Sequence, residues 1–134
     1  MARAMQLNLT LPNTMGGLAR LCRDLADGGV NLLALAAVET GGTTGLIRLV
    51  VANPELATRA VAKAGYAFTT QEVLFIELKN RPGALAKATE KLQRAGIVIR
   101  YAYATAYSKA QKTAAVIAVD ADDFERGAQL MAGR

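Results

Sequence analysis

Along the first dozen residues, Met5, Leu7, Leu9 and Leu11 alternate with Gln6, Asn8 and Thr10. A period of two predicts a strand with one face buried. After a turn at Pro12 to Met15, Leu18, Leu21, Cys22 and Leu25 fall at helical spacing, and Gly28 and Gly29 supply a stop. Val30 to Val38 predicts a second strand, "TGGTTG" a loop, and Leu46 to Ala52 a third strand. Asn53-Pro54 opens a second helix with an apolar stripe of Leu56, Ala57, Ala60, Val61 and Ala64. Gly65 ends it, and Tyr66 to Thr70 suits a fourth strand.

The order then starts again. Val73 to Leu78 is a strand; Leu85, Ala88, Thr89 and Leu92 are a helical stripe stopped by Gly96; Ile97 to Tyr107 and Thr113 to Val119 are strands around the turn "SKAQK". Asp120 caps a last helix bearing Phe124, Ala128 and Met131. No residues follow for a fourth strand in this second set, unless one strand from Phe68 to Leu78 serves both. The repeat has a fixed offset of 67: Asn13 maps to Asn80, Gly16 to Gly83, Leu18 to Leu85, Leu25 to Leu92 and Gly29 to Gly96. The 134 residues therefore read as two small units, 1–70 and 71–134. The order β-α-β-β-α-β packs its helices on one face of an antiparallel sheet. The expected class is α+β, two ferredoxin-like sandwiches, the second lacking its last strand.

Composition narrows the function. The chain is 52% hydrophobic and 20% charged, enough for a core. Its net charge of +5 is spread singly, with no basic run of the kind that binds nucleic acid. Histidine is absent, which removes Ser-His and Cys-His nucleophile pairs and the commonest metal ligand. The single cysteine, Cys22, reads as a small buried residue between Leu21 and Leu25. No apolar run approaches the roughly 18 residues of a membrane span, and the N-terminus does not resemble a signal peptide. The expectation is a cytoplasmic, non-catalytic protein with no cofactor and no metal.

"IELKNRPGALAKATEKLQRAGIVI" resembles the ACT domain, a small regulatory module that binds amino acids. Asn80, Pro82, Gly83, Leu85, Gly96, Ile97 and Ile99 match its pattern of strand, amide, Pro-Gly, helix and Gly-Ile-Asn-Ile, with Val98 in place of the usual Asn. The first copy keeps Asn13, Gly16, Leu18, Gly29, Val30, Asn31 and Leu32, with Met15 where Pro is expected. The chain is similar to stand-alone tandem ACT proteins. That resemblance implies an amino acid bound between units, against the loop (Asn13, Met15, Gly16, Gly17, Leu18; Asn80, Pro82, Gly83, Ala84, Leu85) and a neighbouring second strand (Asn31, Leu32; Val98, Ile99).

Physical chemistry supports such a loop. A helix start has unpaired N–H groups and partial positive charge, suited to a carboxylate. Glycine admits a close ligand, and proline limits the loop's freedom. Asn80 and Asn13 either accept from an ammonium or simply cap their helices; Gly16 and Gly83 serve either a ligand or the turn. Asn31, polar within an apolar strand, points to a functional or interface role, because a buried amide needs a partner. Leu18, Leu85 and Leu92 read as core. Tyr101, Tyr103 and Tyr107 share a strand face that suits an interface better than base stacking, since "TAAVIAV" carries no aromatic. Two functions follow: a homodimeric sensor of an amino acid or similar metabolite, or a ligand-free scaffold for a partner metabolic enzyme. A regulatory subunit of branched-chain amino-acid biosynthesis shares the tandem architecture, but the chain is short for it.

Overall fold

The computed structural model describes residues 2–12 and 14–133. The backbone divides into two compact units: Met5–Gln71, and Met1–Ala4 together with Glu72–Arg134.

The first unit carries most of β1 (Arg3–Pro12), then α1 (Gly17–Asp27), β2 (Leu32–Glu39), β3 (Thr44–Val51) and α2 (Pro54–Lys63), and ends in the start of β4 (Phe68–Lys79). Its strands run β2-β3-β1, antiparallel, with Leu9 opposite Ile47 and Leu35 opposite Leu49. Leu7, Leu9, Leu21, Leu25, Leu49 and Val61 join sheet to helices in one core. At the helix crossing Gly28 is needed for space, since a Cβ there would lie 2.8 Å from Ala60 Cβ. Asn53 caps α2 as expected, its Oδ1 accepting from Leu56 N–H at 3.2 Å.

The second unit holds the rest of β4, α3 (Ala84–Arg94), β5 (Ile99–Thr105), β6 (Lys112–Val119) and α4 (Ala121–Ala132). Its order is β4-β6-β5, with Ile76 opposite Ala115 and Tyr103 opposite Val116. Leu74, Ile76, Leu92, Ile117, Phe124 and Met131 form its core. Each unit is thus an α+β two-layer sandwich. Among the described residues no strand follows α4, and Phe75 N–H donates instead to Ala2 C=O at 3.0 Å. Arg3 supports this contact, donating to Glu125 at 2.7 and 2.9 Å and lying 5.2 Å from the Phe124 ring centre.

Five expectations are corrected. Leu18 and Leu85 are not core: they are 40% and 43% exposed. The inward stripes run at intervals of four, Leu21 and Leu25 in α1 and Ala88 and Leu92 in α3, so a leucine one position after the first helical residue points aside. Asp120 stands at the start of α4 without a side-chain cap, because both carboxylate oxygens accept from Arg100, at 2.7 and 2.8 Å. Cys22 is half-buried rather than buried. Tyr107 lies beyond β5 and is exposed, so the tyrosine stripe shortens to Tyr101 and Tyr103. Alternation also placed Gln6 on the polar face of β1, yet it is fully buried and donates to Asn8 Oδ1 at 2.8 Å.

Candidate functional site

The two loops ahead of α1 and α3 are built alike. In the second unit, Arg81 N–H donates to Lys79 C=O at 2.9 Å, Ala84 to Arg81 at 3.3 Å and Lys87 to Gly83 at 2.9 Å. In the first, Thr14 donates to Pro12 at 2.9 Å, Gly17 to Thr14 at 3.2 Å and Arg20 to Gly16 at 2.9 Å. Every pair is related by the offset of 67. Pro82 is therefore not required for the loop's path, since Met15 occupies its place in an equivalent set of bonds.

Gly16 and Gly83 are the residues from which the helices spring, at φ 81° and 88°. An L-residue with a Cβ resists this left-handed conformation. Nothing lies within 4 Å of where their Cβ atoms would be, so the turn, not crowding within the fold, calls for glycine. Gly16 and Gly83 have no side chain to cap with, and among the described residues no other side chain caps either helix. The first-turn amides of α3, among them those of Leu85 and Ala86, keep their partial positive charge and donate to no side chain among the described residues, which suits a carboxylate.

Asn80 does not cap α3. Its Nδ2 donates to the carbonyls of Tyr107 at 3.0 Å and Ala110 at 2.9 Å, and its N–H donates to Gln111 C=O at 2.9 Å. Because both side-chain partners are carbonyl oxygens, the amide orientation is fixed and Oδ1 remains an acceptor. Asn80 thus ties the loop to the β5–β6 hairpin. Asn13, its counterpart, lies outside the described residues.

The second-strand residues are placed differently from expectation. Asn31 precedes β2 and its side chain is exposed, while its C=O accepts from Ala52 N–H at 3.1 Å. The argument from a buried amide fails for it. Leu32 and Ile99 open their strands, and Val98 is 53% exposed. Immediately after Leu32 and Ile99 both strands bulge, between Leu32 and Ala34 and between Ile99 and Tyr101. A bulge re-aims side chains and is common beside functional sites. No periodicity in the sequence announces one.

Within a unit the loop and the strand start lie at opposite ends of an 11-residue helix, about 16 Å along its axis. They do not converge on one small ligand there. Around the loops the surface is apolar: Met15 is 102% exposed beside Leu18, and Leu85 stands outward on α3. On β2, Leu33, Leu35 and Val38 are exposed as well. Arg81, within the second loop, is an exposed cation that pattern matching passed over.

None of the groups whose pKa departs from its ordinary value lies in either loop. Arg100 and Arg3 are raised by hydrogen bonds to Asp120 and Glu125, which are lowered in turn, and Tyr66 is raised by burial and by Asp24. Among the described residues no three His, Cys, Asp or Glu side chains gather as a metal site, and no helix is long and apolar enough to cross a membrane.

A family model described as an ACT domain pair matches residues 2–131. No curated protein sequence matches the chain. Among solved structures, a protein of Bacteroides thetaiotaomicron is similar at 29% identity and a TM-score of 0.86, covering 98% of this chain and 88% of the other. The ligand-free regulatory subunit of aspartate kinase from Thermus thermophilus shares the fold at 15% identity and a TM-score of 0.66, covering 98% and 91%. Escherichia coli aspartokinase III, in complex with aspartate and ADP, gives a TM-score of 0.55 at 15% identity, over 98% of this chain and 32% of that longer one.

Proposed function

The chain belongs to the ACT domain pair family, and from that premise we propose that it is a non-catalytic regulatory protein that binds an amino acid or similar small metabolite at an interface between ACT units. The observation that carries this reading is the duplicated helix start. Two loops of different sequence make the same three backbone bonds and lead through a left-handed glycine into a helix that, among the described residues, has no side-chain cap. The uncapped amides receive the α-carboxylate, and Asn80 Oδ1 accepts from the α-ammonium.

The loop of one chain is completed by the second strand of another. The separation of loop and strand start within a unit supports a site assembled from two chains, as do the exposed apolar side chains beside both. The sharpest pairing joins the Pro82 loop of one protomer to the Asn31 strand of its partner. Binding across such an interface favours one arrangement of the dimer, and that is how the signal would reach a partner enzyme.

Thermal unfolding and calorimetry against the twenty amino acids test the reading. At about 100 times its Kd a ligand adds roughly 2.7 kcal/mol of stability, so one amino acid or a small group should raise Tm by several degrees. Gly83→Val, which cannot hold the left-handed turn, should abolish that rise. If none of the twenty stabilises the protein, amino-acid sensing loses its support and the ligand-free scaffold takes its place.

A further inference from the structure

The second unit contains a groove of about 730 Å³ between β4 and α3, which reaches the second loop at Arg81 and Ala84. Its floor is apolar, made by Leu78, Ala84, Ala88 and Met131, and its rim carries Lys79, Arg81, Lys87 and Lys91. Among the described residues none of these four cations forms an ion pair, although Lys91 is half-buried. Lys87 and Lys91 stand one turn apart on α3, where like charges repel. A fifth cation on the rim, Lys112, is paired with Glu77 at 3.2 Å.

The first unit indicates what such a groove accepts. There the chain leaving α2 lays Tyr66 and Phe68 against the unit's core, and the Tyr66 hydroxyl donates to Asp24 on α1 at 2.8 Å. By the offset of 67, Tyr66 corresponds to Gly133, which has no ring to offer, Asp24 to Lys91, and Arg20 to Lys87. The neutral aromatic that answers an aspartate in one unit is thus missing in the other, and the aspartate is replaced by lysine.

We propose that this groove is a docking site for an extended, acidic segment of a partner protein that carries an aromatic residue. The aromatic ring takes the place held by Tyr66 in the first unit. Flanking carboxylates meet Lys87 and Lys91 and relieve their repulsion, and a further carboxylate reaches Arg81 or Lys79. This supplies the regulatory protein with a contact surface beside its second loop, with which it shares Arg81 and Ala84.

A blocked synthetic peptide, acetyl-Glu-Glu-Tyr-Glu-Phe-Glu-amide, is the probe, titrated into the full-length 15N-labelled chain. Amide resonances of Leu78, Ala84, Ala88 and Ala132 should shift, with sub-millimolar affinity that weakens as salt is raised. Lys87→Glu with Lys91→Glu should weaken binding about tenfold, and so should alanine in place of the peptide tyrosine with the protein unchanged. Binding equally well to the peptide with glutamine in place of glutamate overturns the proposal. So does the absence of shifts in the groove at millimolar peptide. Free glutamate or phosphate giving the same shifts at equal affinity also overturns it, leaving a small-anion site. Shifts at Leu78, Ala88 and Ala132, which line the groove outside the loop, report the peptide apart from an amino acid at the helix start, so either proposal can fail alone.

Discussion

Gly83 holds φ at 88° in open space, so Gly83→Ala meets no atom and its cost is backbone alone. That cost is about 1–2 kcal/mol for a residue forced into the left-handed region. Scanning calorimetry should show Tm lower by several degrees, with Gly16→Ala behaving alike; an unchanged Tm would mean that the loop re-forms around a different turn. At this scale the sequence was readable where a residue's conformational preference decided its place, as for Asn53 before Pro54 and the two loop glycines. It was misleading where a side chain had competing partners. Asp120 has the chemistry of a cap, yet a two-bond pair with Arg100 from a distant strand holds it. Asn80 also has that chemistry, and two carbonyls of the β5–β6 hairpin claim it instead.

Among elements, alternation located β1, helical spacing the helices, and short apolar runs the ends of β3 and β6, where consecutive residues are buried on both faces. The missed details are those without a periodic signature. The bulges in β2 and β5 are such details; for β4, of the two readings offered, separate strands or one from Phe68 to Leu78, the single strand is found, from Phe68 to Lys79. The start of β1 is bound to α4 by Arg3 and Glu125, and β5 to the start of α4 by Arg100 and Asp120. Both carboxylates are held below their usual range, first by the hydrogen bond from the arginine. A carboxylate lowered in the folded state stabilises it above the unfolded value, and that contribution is lost as pH falls through the folded value. Tm should therefore decline on acidification below about pH 5. Glu125→Gln should flatten that decline by removing one of the two groups, with a lower Tm at neutral pH. Because both pairs are open to solvent the effect is small, and identical acid limbs in the two proteins would show that the Arg3 pair contributes nothing to stability.

For the whole molecule, the offset of 67 carried the architecture, since two copies of one weak pattern constrain the fold more than either does. The repeat also makes the exposed apolar residues interpretable. Leu33, Leu35 and Val38 on β2, with Met15 and Leu18 ahead of it, are more than a third exposed in the single chain. Scattered exposed leucines are ordinary, but Leu33 and Leu35, exposed on one face of β2 with Val38 exposed on the other, suit an interface. The proposed sensor needs that surface covered by a second chain. Sedimentation velocity should then show a dimer at micromolar concentration, and Leu33→Glu with Leu35→Glu should leave a folded monomer by circular dichroism. The stabilising amino acid should tighten the dimer, because a ligand held by two chains binds the dimer and not the monomer. The double variant should in turn lose the thermal shift. A chain that sediments as a monomer at every concentration, with and without the ligand, would leave each loop without its strand and remove the two-chain site.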